Sequence, residues 1–174
     1  MAFLTFQQLE TRSFINAKSL NESISPWSTS GKWVFLSYRR EDRQYIQAIA
    51  RFLRRIGIGV YIDFLDETLE DKTNDAVAQT LRDRIHKCTK FICLATPNSG
   101  KSKWMPWELG LGDRIVNYKN VAILPVTDNP NTWADQEYGK IYGRIERITA
   151  VGFMDTWMVV YPNGDKISLV NWLK

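Results

Sequence analysis

Residues 91–110 read FICLATPNSGKSKWMPWELG, and where the helix begins inside this stretch decides the fold around it. Phe91-Ile92-Cys93-Leu94-Ala95 is a short, continuous apolar run of strand type. The residues after it can be read in two incompatible ways. Ala95 to Ser102 loosely fits a phosphate-binding loop that closes on Gly100-Lys101-Ser102. Such a loop works by aiming backbone N–H groups at phosphate oxygens, and Pro97 removes one of them. The first glycine position of the pattern holds Ala95. A helix entered at Lys101 would also carry Pro106 in its interior, at a cost of about 3 kcal/mol. Starting the helix between Ser102 and Met105 removes the conflict. Ser102 or Lys103 then forms the cap region, Pro106 falls in the first turn where its missing N–H is harmless, and Glu108 complements the positive end of the helix dipole. The stretch predicts a strand, a connector and a helix.

The same alternation extends to both sides. Trp33-Val34-Phe35-Leu36-Ser37 is an apolar run followed by the polar turn Tyr38-Arg39-Arg40-Glu41-Asp42. Ile46, Ile49, Ala50, Leu53 and Ile56 recur at three- and four-residue spacing, which predicts a helix ended by Gly57. Val60-Tyr61-Ile62-Asp63 is a second strand, and an acidic loop through Asp71 leads to a helix from about Asp75 to His86. Val121-Ala122-Ile123-Leu124-Pro125-Val126 is a fourth strand after the one at 91–95. Near-continuous apolar strands separated by helices predict an α/β fold with a central parallel sheet covered on both faces. Ahead of this core, Thr5 is placed to cap a helix with Leu9 on one side, and Ser25 to Gly31 reads as a connector. Residues 1–31 are therefore expected to form an N-terminal helical arm and linker before a domain over 32–174, with its core in 32–126. Beyond the core, Trp157 to Tyr161 and the Pro162-Asn163-Gly164-Asp165 turn predict an edge strand and hairpin, and Ser168 is placed to cap a closing helix through Trp172.

Composition narrows the function classes. The 174 residues are 44% hydrophobic and 24% charged, ordinary for one globular domain that needs no metal or disulfide to hold it. The net charge of +4 is spread among interleaved acids, without the basic stripe of a nucleic-acid binder. Seven tryptophans run from Trp27 to Trp172, so most must serve the core. Cys88, Cys93 and the single His86 fall short of a four-ligand metal site, and two cysteines make no disulfide framework. Buried bystander thiols are expected, with no metal. The start MAFLTFQQLETRSF lacks the basic residues and apolar run of a leader, and no stretch approaches the ~20 apolar residues of a membrane span. A cytoplasmic location without membrane attachment is the expectation.

In open parallel sheets, ligands bind beyond the carboxyl ends of the strands. Those positions are Ser37 to Asp42, Asp63 to Asp71, Ala95 to Glu108 and the loop after Val126. Trp104 and Glu108 stand four residues apart and would share one helix face. Their plainer roles are packing for Trp104 and Trp107, and a dipole-matching surface acid for Glu108. The functional alternative has a specific chemistry. Ordinary glycosidases need two carboxylates, one of them to protonate the leaving group. The nicotinamide of NAD is attached as a cationic pyridinium and leaves neutral, so no general acid is required. One carboxylate near the ribose can favour the oxocarbenium-like transition state, and an aromatic face beside it can stack on a base.

VFLSYRRED at residues 34–42, GVYID at 59–63 and SKWMPWELG at 102–110 closely resemble Toll/interleukin-1 receptor (TIR) domains, in the family's order and spacing. The short arm, the ILPVTDN strand and the C-terminal tryptophan and NWL segments look like standalone bacterial TIR proteins, similar to the TIR component of Thoeris anti-phage systems. The resemblance implies a flavodoxin-like three-layer fold and NAD glycohydrolase or cyclase activity, with NAD as substrate and no separate cofactor. It implies that Glu108 is the catalytic glutamate and that Trp104 stacks near the adenine. Ser37, Tyr38 and Arg39 would line the nicotinamide-ribose and phosphates, and Asp63 would begin a mobile loop. It also implies TIR–TIR self-association and a linear or cyclic ADP-ribose product that a separate effector can sense.

Other readings remain open at this level. Arg39 and Arg40 can instead pair with Glu41 and Asp42, and Asp63 can cap a turn. The same fold serves non-catalytic TIR–TIR assembly modules, so fold alone does not choose between enzyme and scaffold. A nucleotide hydrolase dependent on Lys101 is the third reading. The loop FLDETLEDKTND at 64–75 is strongly acidic and lacks the glycine-proline turn of many receptor-type TIR domains.

Overall fold

The computed structural model describes residues 1–13, 33–54, 59–62, 75–102, 104–133, 137–148 and 156–174. The expected connector at 25–31, the helix end at Gly57, Ile56, Lys103 and the whole Asp63 to Asp71 loop lie outside the described residues. In chain order the elements are β1 (Leu4–Thr5), α1 (Phe6–Ser13), β2 (Trp33–Ser37), α2 (Arg43–Arg54), β3 (Gly59–Ile62), α3 (Asp75–His86) and β4 (Lys90–Ala95). They continue with α4 (Met105–Val116), β5 (Val121–Thr127), β6 (Gly143–Ile148), β7 (Thr156–Val160), β8 (Lys166–Ser168) and α5 (Leu169–Leu173).

The sheet runs β3-β2-β4-β5-β6-β7-β8, with β1 beside the end of β5. Strands β3 through β6 are mutually parallel, as the apolar runs predict, while β7 and β8 are antiparallel. The parallel core thus has a fifth member, β6, that the sequence reading leaves irregular. The expected hairpin joins β7 to β8, with Gly164 at φ +91, a conformation glycine reaches without a Cβ penalty.

Period-two alternation sorts the strand residues into two apolar layers. Val34, Leu36, Ile92, Leu94, Ala122 and Leu124 face one side, where α1, α2 and α5 supply Leu9, Ile46, Ile49, Leu53, Trp172 and Leu173. Phe35, Phe91, Cys93, Val121 and Ile123 face the other, against Val77, Leu81 and Ile85 of α3 and Met105, Leu109 and Val116 of α4. This is the three-layer α/β arrangement. The periodic positions Ile46, Ile49, Ala50 and Leu53 of α2 are each at most 1% exposed.

Local chemistry fixes the helix ends. Thr5 Oγ1 accepts from Gln8 N at 3.2 Å while Gln8 Oε1 accepts from Thr5 N at 3.1 Å, a reciprocal capping box for α1. Ser168 Oγ accepts from Asn171 N at 3.2 Å and starts α5. Leu4 pairs in register with Val126 and is buried, so the N-terminal residues are stitched to the sheet. Among the described residues, no helix is long and apolar enough to cross a membrane.

The second layer carries titratable groups with a consequence for stability. Burial pushes the Cys88 thiol from 9.0 up to about 12. Burial, and then the neighbouring Asp113 carboxylate, pushes the Tyr142 phenol from 10.0 up to about 12. Both folded values lie above the unfolded ones, so the stability they contribute is whole below pH 9 and is lost as pH rises towards 12. Melting temperature is expected to fall steadily between about pH 9 and about pH 11. A flat profile there would contradict this assignment.

Candidate active site

Strand β2 lies between β3 and β4, so successive connections leave it in opposite directions. This is the switch point at which an open parallel sheet forms its ligand crevice. Ser37 closes β2 and pairs in register with Cys93 of β4. Glu108 comes to the same place from the helix after β4.

The helix starts where proline placement predicts. Ser102 Oγ accepts from Met105 N at 3.1 Å, and Pro106 lies in the first turn of α4. Ser99–Lys101 forms one turn of 3-10 helix, and Lys101 is exposed on the surface. A further condition lets α4 sit down on the sheet. A Cβ at Gly112 would stand 2.6 Å from the Phe91 ring, so glycine is required for this close approach.

These elements converge on one contact. Ser37 Oγ donates to Glu108 Oε2 at 2.6 Å. That length is typical of a hydroxyl donating to a carboxylate. Ser37 is 2% exposed, whereas Glu108 is only partly buried, so the pair has a protein side and an open side. Burial first and the Glu108 charge second push the Cys93 thiol up, which keeps it neutral beside the pair.

Trp104 immediately precedes α4, and its carbonyl accepts from Glu108 N at 2.9 Å. Its ring meets Trp107 edge to face, with centroids 5.4 Å apart and planes at 81°. The Arg82 guanidinium lies 5.7 Å from the Trp107 centroid, which anchors the pair from α3. Tyr38 is partly buried against the layer built by α1, α2 and α5. Arg39 Nη2 pairs with Glu41 Oε1 at 2.8 Å, the plainer of its two sequence-level roles. Its Nε is buried and has no hydrogen-bond partner among the described residues. Asp63 lies outside the described residues. The structure therefore brings the Ser37 and Glu108 side chains together, joins Trp104 to Glu108 through the backbone, and commits Arg39 to a neighbouring acid.

The sequence places Asp42 in a strand-end loop and offers it as an ion-pair partner for the preceding arginines, and its partners in the structure are different ones. Asp42 is 1% exposed. Its Oδ2 accepts from Thr96 Oγ1 at 2.7 Å and its Oδ1 from Asn98 Nδ2 at 2.8 Å. The available signal was positional, because Asp42 and Thr96-Pro97-Asn98 occupy two facing strand-end loops. To one side, a cleft of about 410 Å³ is lined by Glu10, Glu41, Asp42 and Asp128 among others. Its carboxylates suit an anionic ligand poorly. Among the described residues, no three His, Cys, Asp or Glu side chains converge as metal ligands.

Comparison with known proteins agrees with this fold. A relative from Bacillus cereus (strain MSX-D12), named "Probable 3' cyclic ADP-D-ribose synthase ThsB'", is 29% identical over 146 residues, which cover 81% of this chain and 75% of that protein. The family model of the TIR domain matches residues 34–157, from the second residue of β2 into β7, and so spans Ser37, Trp104 and Glu108. The chain belongs to the TIR domain family.

Proposed function

We propose that this chain cleaves the nicotinamide–ribose bond of NAD and releases nicotinamide with a linear or cyclic ADP-ribose, as a signal in bacterial anti-phage defence. The observation that carries the reading is the 2.6 Å hydrogen bond from Ser37 to Glu108 at the sheet's switch point. The name of the B. cereus relative, a cyclic ADP-D-ribose synthase, supports the same chemistry.

The reaction needs little from the protein beyond placement and charge. The C1′–N bond of the ribose breaks heterolytically, and its electron pair leaves with nicotinamide, which departs neutral. The sugar is left as an oxocarbenium ion. A carboxylate fixed beside the ribose stabilises that developing positive charge, and the Ser37 hydroxyl holds the carboxylate in orientation. Water can then attack C1′ and lose a proton to give linear ADP-ribose. Attack by a nucleophilic atom of the same molecule gives a cyclic product lighter by one water. Trp104, held edge-on by Trp107, offers a face on which adenine can stack. Tyr38 and Arg39 in the loop after β2, and Asp63 after β3, complete the proposed substrate contacts. Self-association through TIR–TIR contacts and a separate product-sensing effector belong to the same reading.

Mass spectrometry of an NAD incubation tests it directly. The expected result is nicotinamide together with an ADP-ribose species whose mass separates linear from cyclic product. Intact NAD at high protein concentration, with and without a crowding agent, would sink the proposal. Within it, Ser37→Ala is expected to lower kcat by about tenfold, since one orienting hydrogen bond to a charged group is lost. An unchanged kcat would show that Ser37 does not orient Glu108.

A further inference from the structure

We propose that Asp42 is a positioning residue for this site. It ties the loop that follows Ser37, with Tyr38 and Arg39, to the loop that leads into the helix of Glu108, and so fixes the two sides of the crevice relative to each other. The activity part of this inference rests on the NAD reading above; the clamp itself rests on geometry alone.

Asp42 ends the 3-10 turn Arg40–Asp42, and its N–H donates to Arg39 O at 2.8 Å, which closes the turn. The carboxylate then reaches across to donors 54 and 56 residues later in the chain, Thr96 and Asn98. Thr96 follows directly on β4 and is 4% exposed. The far loop is itself cross-braced. Ser99 Oγ accepts from Thr96 N at 2.9 Å and donates to Leu94 O at 3.0 Å, and Asn98 N donates to Thr96 Oγ1 at 3.1 Å. Ser99 is 1% exposed. The carboxylate therefore binds to a stiff partner rather than to a loose chain.

A charge this deeply buried is costly unless its oxygens are satisfied. Among the described residues, the hydrogen bonds to Asp42 come from an uncharged hydroxyl and an uncharged amide. A carboxylate of this kind strongly favours one geometry, because each oxygen needs its donor. Catalysis by a fixed acid depends on such placement, since a shift of about 1 Å can cost about a hundredfold in rate. A stitch that served stability alone would lower the melting temperature and leave the kcat of the folded fraction unchanged.

The test exchanges donor and acceptor across the clamp. Asn98→Asp sets a second carboxylate against Asp42. Combining it with Asp42→Asn restores one carboxylate and one amide in the same pair, and the amide oxygen introduced at position 42 can still accept from Thr96. Thr96→Val keeps the side chain's shape and removes the donor to Asp42 together with the acceptor of Asn98 N, so if Asn98→Asp does not fold it reads the clamp through exchange over residues 37–42. Two measurements are made on variants shown folded by circular dichroism: backbone hydrogen exchange over residues 37–42 and 96–102, and kcat and KM for nicotinamide release. The single variants are expected to speed exchange in both segments by about tenfold or more and to lower kcat by about tenfold, with KM within about threefold. The double variant is expected to recover both. Unchanged exchange in the single variants, or no recovery in the double, overturns the clamp. Altered and recovered exchange with kcat unmoved overturns the positioning role. If the wild type releases no nicotinamide, the NAD reading and the positioning role fall together, while exchange still decides the clamp.

Discussion

Glu108→Gln is expected to abolish nicotinamide release, with kcat lowered by about 10³-fold or more, while the protein remains folded. The substitution keeps the side chain's length and shape. Its amide oxygen can still accept the Ser37 hydroxyl that donates to Glu108 Oε2 at 2.6 Å. What disappears is the negative charge, which is the only property the oxocarbenium mechanism asks of this residue. The loss from removing an acid in the first turn of α4 is about 0.3–1 kcal/mol, too little to unfold a domain of this size. Glu108→Ala makes a different comparison, because it also strips the buried Ser37 hydroxyl of its acceptor. An alanine variant therefore mixes catalytic loss with local rearrangement, and glutamine separates them. Chromatographic nicotinamide release and a melting curve, taken on the same preparation, check both parts. A glutamine variant retaining more than about a tenth of wild-type kcat would remove the Glu108 charge from the mechanism and move the stabilising group elsewhere in the crevice.

The parallel core was legible because its strands are buried on both faces, which leaves continuous apolar runs such as Phe91 to Ala95. The start of α4 was legible because proline constrains where a helix can begin. By contrast, β6 reads Gly-Arg-Ile-Glu-Arg-Ile, and its charges hide it. It is a strand because β5 and β7 pair with it on either side. Glu146 is tolerated at 1% exposure because Arg144 Nε, two residues away along the same strand, approaches it at 3.0 Å. Strand β1 is only two residues long, and Leu4 finds its partner Val126 far along the chain. The candidate site divides in the same way. Trp104 immediately precedes α4 and Glu108 lies in its first turn, so their four-residue spacing already relates them. Ser37 meets Glu108 across 71 residues; the strand-end rule brings their loops to one crevice, but the direct contact is visible only in the fold. The partners of Asp42 are hidden from its sequence neighbourhood because its donors stand in another loop.

Trp172→Ala is expected to cost about 3–5 kcal/mol, enough to lower the melting temperature by about 10 °C. Trp172 lies close to the end of the sequence, where fraying is the usual expectation. Yet it is 3% exposed and belongs to the same apolar layer as Leu4, Leu9, Leu124 and Val126. Its Nε1–H is shared between Lys119 O at 2.9 Å and Tyr161 Oη at 3.0 Å, and Lys90 Nζ stands 4.9 Å from the ring centroid. The indole therefore joins α5 to β4, to the turn before β5 and to the end of β7. Alanine would leave a cavity the size of two rings beneath the sheet. Trp172→Phe keeps most of that apolar volume, and Lys119 O retains the Tyr161 hydroxyl at 2.7 Å, so no acceptor is orphaned. The phenylalanine variant is expected to lose only about 1–2 kcal/mol. Urea unfolding followed by circular dichroism measures both. An alanine variant within about 1 kcal/mol of wild type would mean that α5 is a peripheral attachment rather than part of the core, and that the layer beneath Leu124 and Val126 closes without it.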